Sequence, residues 1–488
     1  LVRGRFAPYI LGAALVSLAL IMGGFWIYAV LAHEPALGFM VASAAAGLVG
    51  YPLMRFGTSR AEPTRREALT GVLLLWLMVP AFGAIPFVIS GGFSPLNAMF
   101  ESMSGFTTTG ATVLRDFDSF SPSLFMWRSL TQWIGGVGIL VIFIAVFPQL
   151  AIAGRQLFFT EAPGPTEERL TPRLRNTAGA VLAVYTGLTV ACATTYAIGG
   201  MSIYEAVAHS FTTLAAGGFS PNGLSFQGYA NPFLDWAAIV FMIFAGANFA
   251  LQYRAFTGRP KELLLDAEFR AYLLISLLAG LLIAVVLAGH YQFMDALRHG
   301  LFQALSILTT TGYASTDFAT WSERAQIVLL ILMFIGGSAG SAGGGIKVVR
   351  WLIIAQHTAR EVKRALHPRG TFPVRVGNRI IPEEVLRAVA AFITLYIGVF
   401  TASATLLVVF GADFVTAFTA AIACLGNIGP GLAQVGPMAN FADLHPISRA
   451  VLTFDMYAGR LEVVTIFVIF TPRWWRLPRR NPFNLLRR

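Results

Sequence analysis

Phe106-Thr107-Thr108-Thr109-Gly110-Ala111-Thr112 is a threonine–glycine run inside a chain that is otherwise apolar. Three related stretches follow: Thr212-Thr213-Leu214-Ala215-Ala216-Gly217-Gly218-Phe219-Ser220, Thr309-Thr310-Thr311-Gly312-Tyr313-Ala314-Ser315, and Cys424-Leu425-Gly426-Asn427-Ile428-Gly429-Pro430. Their key glycines, Gly110, Gly218, Gly312 and Gly429, recur roughly every hundred residues, the mark of an internal repeat. Twelve positions before each glycine sits a small residue: Ala98, Ala206, Gly300 and Ala417. The mostly apolar segment between them is about the length of a half-membrane helix.

Composition places these repeats in a bilayer. Of 488 residues 56% are hydrophobic and only 12% charged, and mean hydropathy is positive. The stretch Tyr9–Leu31 is too long for a secretory core and is expected to stay as a helix. The chain opens at Leu1 rather than methionine, so the native N-terminus is expected to be altered or to lie upstream. Cys192 and Cys424 form no disulfide framework or metal-ligand cluster. The net charge of +11 is not arranged as a basic stripe with interleaved aromatics, which argues against nucleic acid as a partner and leaves membrane lipid as the surroundings.

The expected plan is all-α and polytopic: two N-terminal helices, then four helix–pore-loop–helix repeats in pseudo-fourfold order around one pore. Residues 1–66 hold the two helices, Tyr9–Leu31 and Gly38–Met54. Repeats 1 to 4 fall at 67–154, 176–254, 268–358 and 384–472, and a basic tail at 473–488. The inner helices are expected over Pro122–Phe147, Pro232–Tyr253, Arg324–Gln356 (interrupted) and Ile447–Phe470. Charge tests the threading. Of the 35 Lys and Arg, the large majority lie at the termini or in loops on the same side, among them Arg155, Arg173, Arg259, Arg360–Arg369 and Arg473–Arg488. Arg115, Arg128, Arg298, Arg324 and Arg449 lie on the other side. That asymmetry predicts cytoplasmic termini, and it requires the four short segments to re-enter rather than cross.

A non-helical loop at membrane depth must line water or be buried in protein, and its carbonyls need partners. A dehydrated cation is one such partner. Glycine permits the dihedrals that turn successive carbonyls to one side. Four short helices ending at mid-membrane would add the negative ends of their dipoles. The candidate filter is therefore Thr108, Thr109 and Gly110; Ala216, Gly217 and Gly218; Thr310, Thr311 and Gly312; and Asn427, Ile428 and Gly429. The expected ion ligands are Thr109, Gly110, Gly217, Gly218, Thr311, Gly312, Ile428 and Gly429. One such loop alone reads equally well as a packing feature, but four at matched offsets do not.

These motifs resemble the TrkH-type subunits of the Trk/Ktr/HKT superfamily of potassium transporters, over essentially the whole chain after the first two helices. The resemblance implies K⁺ as the transported ion, no organic cofactor on this chain, and a homodimer seated on a cytoplasmic TrkA-type nucleotide-binding ring. It further implies K⁺ rather than Na⁺ from the glycine at Gly110. The fourth loop departs most from the threonine pattern, and the second has Ala215-Ala216 where the first and third carry threonines.

The third inner segment carries Gly336-Gly337-Ser338-Ala339-Gly340-Ser341-Ala342-Gly343-Gly344-Gly345-Ile346-Lys347. Small-xxx-small helix packing is one reading; a phosphate loop fails for want of Gly-Lys-Ser/Thr. So many glycines, each costing a helix about 1 kcal/mol, favour a broken helix. The resemblance implies that this loop gates the pore, giving Gly336, Gly337, Gly340, Gly343, Gly344, Gly345, Lys347 and Arg460 as gate residues. Arg460 sits at mid-membrane, where it either pairs with Asp455 or Glu462 or reaches the glycine-rich loop. Glu101, His209 and Gln303, each nine residues before a key glycine, are expected to brace the filter. Asp116 and Asp118 are candidates to concentrate cations at the outer mouth. No nucleophile–base pair or metal cluster points to an enzyme. An ion-coupled transporter with alternating access and the channel-like subunit of a K⁺ pump remain as alternatives.

Overall fold

The structure is a computed structural model; it describes residues 5–58, 64–145, 170–469 and 471. The expected tail Arg473–Arg488, Arg155 and the end of the first inner helix at Phe147 lie outside the described residues. Apart from one two-stranded hairpin (Arg375–Val376 with Arg379–Ile380), the described residues are helices and connecting loops. Among the described residues, six helices are long and apolar enough to cross a membrane, seven if one bent pair is a single span.

Helices Phe6–Leu31 and Leu37–Phe56 form an antiparallel pair. Gly12 and Gly50 let them meet backbone to backbone: a Cβ on Gly12 would lie 2.2 Å from the Met54 nitrogen. The pair packs on the first repeat through Phe25 and Phe39, whose rings stand edge-on to Trp127 at 5.6 and 6.3 Å.

Each of the four repeats has an outer helix, a short pore helix, a loop and an inner helix. The pore helices are Pro95–Phe106, Ile203–Leu214, Phe293–Leu308 and Phe414–Leu425. Twelve residues span about 18 Å, too short for a hydrocarbon core of about 30 Å. Sequence-local signals start them. Ser94 caps the first, with proline in its first turn; Ser202 and Glu205 form a capping box; Asp413 accepts from the Thr416 N–H at 3.0 Å.

Only the first of the four inner helices, Pro122–Ala145, shows no interior break over its described length. The second, expected as one helix to Tyr253, instead ends at Gly246 and resumes as Phe249–Phe256, bent by 107°. Asn248 starts the new segment by accepting from the Ala250 and Leu251 N–H groups, at 2.9 and 3.1 Å. The third is interrupted between Glu323–Met333 and Val348–Leu366. The fourth, also expected to be continuous, breaks after Arg460, and Glu462 adopts φ +62° before Val463–Ile469. The stretch Arg360–Arg369, expected as a basic loop, is helical as far as Leu366.

Candidate functional site: a ring of four loops

All four pore helices end alike. The residue two before each key glycine takes a left-handed conformation: Thr108 (φ +52°), Ala216 (+52°), Thr310 (+61°) and Asn427 (+54°). Its N–H bonds three residues back, and the next N–H five back: Thr109 to Ser104, Gly217 to Thr212, Thr311 to Ser306, Ile428 to Ala423, at 2.8–2.9 Å. This is the Schellman helix end, which normally puts glycine at the left-handed position. Non-glycine residues there are strained, as at many functional sites. The key glycine then takes a second positive φ, +84°, +78°, +81° and +101° in chain order.

The glycines close a ring. A Cβ on Gly110 would lie 2.1 Å from the Gly217 carbonyl oxygen, and one on Gly218 1.9 Å from that of Thr311. A Cβ on Gly312 would lie 2.2 Å from the Ile428 oxygen, and one on Gly429 2.7 Å from that of Thr109. Each glycine therefore touches the backbone of the next repeat, and the fourth returns to the first. Glycine is required twice over, by its dihedral and by the neighbouring oxygen.

The residues nine before the glycines brace the loops as they leave the ring. Buried Glu101 accepts from the Val113 N–H at 2.9 Å and the Thr112 hydroxyl at 3.0 Å, and pairs with buried Arg128 at 2.5 Å. The Gln303 amide is satisfied with its oxygen 2.8 Å from the Ser315 N–H and its nitrogen 3.2 Å from the Tyr313 carbonyl. In the second repeat the corresponding residue is Pro221, which has no N–H, and His209 Nε2 instead meets the Ser220 hydroxyl at 3.0 Å. In the fourth, with Ala420 at that offset, Thr419 accepts from the Leu432 N–H at 2.9 Å.

Arg128, expected at the outer side with the scattered charges, is a helix residue buried behind the ring. Its guanidinium lies 3.6 Å from the Phe219 ring centre and donates to the Ser220 carbonyl at 3.1 Å. Arg298 is likewise a pore-helix residue, paired with Asp235 at 3.1 Å. Asp116 and Asp118 are exposed; Asp116 accepts from the Asp118 N–H at 3.0 Å.

The glycine-rich segment is a closed loop against the pore-helix ends. Its two ends meet through Lys347 N–H to the Ile335 carbonyl (2.8 Å) and Val348 N–H to that of Gly337 (3.1 Å). Gly336, Gly340 and Gly345 take positive φ, as does Lys347. At its tip the Gly344 N–H donates to the Thr310 hydroxyl at 2.7 Å, and a Cβ on Gly344 would lie 2.4 Å from the Gly426 oxygen. A Cβ on Gly343 would lie 2.8 Å from the Thr309 oxygen. The break in the second inner helix supplies the loop's partners. Ala342 and Ser338 donate to the Ala245 and Gly246 carbonyls at 3.2 and 2.9 Å, Phe249 donates to Gly340 at 3.1 Å, and Asn248 to Ala339 at 2.8 Å. Glu268, which the sequence did not single out, accepts from the Ala339 and Val349 N–H groups at 2.7 and 3.2 Å.

Arg460 does not pair with either expected carboxylate. Asp455 accepts from the Ser403 hydroxyl at 2.8 Å, and Glu462 pairs with Arg350 at 2.6 Å. Buried Arg460 donates instead to the Ala342 carbonyl of the glycine-rich loop, at 2.9 Å. Lys347 Nζ donates to the Gly343 carbonyl at 3.0 Å.

Residues 37–476 match the family model for TrkH, described as a cation transport protein. The chain belongs to the TrkH family. It is 38% identical over 424 residues to the Trk system potassium uptake protein TrkH of Vibrio parahaemolyticus, covering 85% of this chain and 87% of that one. It is 36% identical over 445 residues to the protein of the same name from Escherichia coli K12, covering 90% and 91%. The crystal structure of the potassium transporter TrkH from Vibrio parahaemolyticus superposes with a TM-score of 0.88 at 34% identity, over 96% of this chain and 99% of that one. The TrkH family comprises membrane cation transporters rather than enzymes, and the all-α repeat fold expected from the glycine spacing is the fold this chain has.

Proposed function

We propose that this chain carries K⁺ inward across the bacterial cytoplasmic membrane through the ring formed by Gly110, Gly218, Gly312 and Gly429. The observation that carries the reading is the cyclic contact of each glycine with the next repeat's carbonyl. Backbone oxygens so confined can replace the water shell of one ion, while four pore-helix C-termini favour positive charge on the inner side. The relatives' names, which specify potassium uptake, support K⁺ as the ion.

The glycine-rich loop is the gate. It lies against the pore-helix ends beneath the ring, tied by one hydrogen bond to Thr310 and latched by Arg460 through Ala342. An arginine in this position also opposes a cation electrostatically. Both termini are cytoplasmic, from the distribution of arginine. The protein works as a homodimer on a TrkA-type nucleotide-binding ring, in keeping with relatives named as parts of a Trk system.

Uptake of ⁸⁶Rb⁺ into proteoliposomes holding this chain alone tests the proposal. Excess K⁺ should abolish the signal and equal Na⁺ should leave most of it. Equal competition by the two ions, or no uptake above empty liposomes, would remove the claim of a potassium pathway.

A further inference from the structure

The four loops share one backbone but are not held in the same way. In the first, the Thr107 and Thr109 hydroxyls meet at 2.8 Å, and Thr107 donates to the Met103 carbonyl at 2.6 Å. The third repeats this with Thr309, Thr311 and the Leu305 carbonyl, both distances 2.8 Å. The second loop has Ala215 and Gly217 at the two threonine positions and cannot form the pair. Its place is taken from the neighbouring repeat. Gln132, on the first inner helix, donates from Nε2 to the Gly217 carbonyl at 2.7 Å and accepts through Oε1 from the Phe219 N–H at 3.1 Å. Its amide occupies the room a side chain at 217 would need: a Cβ there would lie 2.4 Å from Gln132 Cδ. Arg128, one turn earlier, holds Phe219 and Ser220.

We propose that Gln132 is a positioning residue for the filter: it substitutes, from outside, for the missing threonine of the second loop and sets that loop in register with the other three. The ion preference of the pore then depends on Gln132, although it need not touch the ion. The Gly217 carbonyl that it holds is the one packed against Gly110, so a displaced second loop distorts the first as well. Gln132 is fully buried, and both its polar groups are spent on this one loop. The proposal rests on the four loops being the ion filter.

The structure also supplies the rescue. Gly217 does not have the left-handed dihedral of Gly218, and its counterparts are Thr109, Thr311 and Ile428, so a threonine fits its backbone once the amide is removed. Three variants are reconstituted: Gln132→Ala, Gly217→Thr, and the two together. The K⁺/Na⁺ ratio is read from competition against ⁸⁶Rb⁺ uptake, and folding from the melting temperature in detergent. Each single change should lower the ratio roughly three- to tenfold, the equivalent of one or two hydrogen bonds. The double variant should recover most of it, a non-additivity expected only if the two side chains share one place. An unchanged ratio in Gln132→Ala, or a double variant no better than the worse single, would overturn the proposal. So would failure of all three to fold, since Gln132 would then hold the fold rather than the filter. A wild type without K⁺ preference would remove the filter reading itself; a selective wild type beside an equally selective Gln132→Ala would remove this proposal alone.

Discussion

The first and third loops of the glycine ring brace themselves, whereas the second and fourth are braced by their neighbours. Threonine pairs inside loops 1 and 3 satisfy hydroxyls locally, so those loops carry their geometry in their own sequence. Loop 2 leans on Gln132 and on Tyr313, whose hydroxyl donates to the His209 carbonyl at 3.0 Å. Loop 4 leans on its own Asn427, whose amide donates to the Thr109 hydroxyl at 3.0 Å and to the Met456 carbonyl at 2.9 Å. A ring that is fourfold in backbone is therefore nearer twofold in its supports. The same backbone can be held from within or from without.

The largest expected effect lies where the two kinds of loop do not differ. Gly110→Ala and Gly218→Ala each put a methyl group into a neighbouring carbonyl at a left-handed dihedral, and both should cut K⁺ uptake by more than about tenfold. A mild Gly218→Ala beside a severe Gly110→Ala would mean that the externally braced loop can yield. Next come the threonines. Thr311→Val removes one internal pair, worth about 1 kcal/mol, and should weaken apparent K⁺ affinity by a few-fold. Thr109→Val removes the equivalent pair and also strips loop 4 of its donor's partner, so its loss should be clearly larger. Equal losses would break the idea that loop 4 borrows its support from loop 1.

Arg460→Ala leaves the hydrogen bonds of the four ring loops untouched. Flux should rise by about two- to fivefold, the effect of losing one buried hydrogen bond worth about 0.5–1 kcal/mol to the closed state of the proposed gate, with the K⁺/Na⁺ ratio unchanged. Unchanged flux would remove Arg460 from the gate. The smallest effect is expected at the exposed mouth. The Ser119 side chain and the Asp118 amide hold Asp116 below the usual carboxylate range. Its charge is thus present above that lowered pKa and lost only on stronger acidification than an ordinary aspartate needs. Asp116→Asn should alter uptake by less than about 1.5-fold at 0.15 M salt, where exposed charges are screened. A larger, salt-sensitive drop would give the mouth a share in ion capture.

Much of the site was legible before folding. The glycine spacing exposed the repeats, and the nine-residue offset picked out Glu101, His209 and Gln303, each of which bonds the exit of its own loop. Other features were hidden. Nothing local marks Thr108, Ala216 and Thr310 as left-handed, because none is glycine and the strain is sustained by packing around the ring. The breaks at Ala247 and Glu462 carry no proline, and each arises because tertiary partners outbid one turn of helix. Arg128 and Gln132, four apart in an apolar helix, form a polar stripe that could have been read as facing protein. On charge alone the arginine groups with the outer residues.

Sequence alone determined that the chain lives in a bilayer, repeats four times, and bends at a glycine in each repeat. Those are matters of hydropathy, period and dihedral freedom, which a residue carries wherever it sits. Which carbonyl meets which glycine, what stands in for a missing threonine, and where Arg460 donates were decided only in three dimensions. A hydrogen bond depends on the partner's position to within a fraction of an ångström, and partners such as Asn427 and Thr109, 318 residues apart, are brought together only by closing the ring.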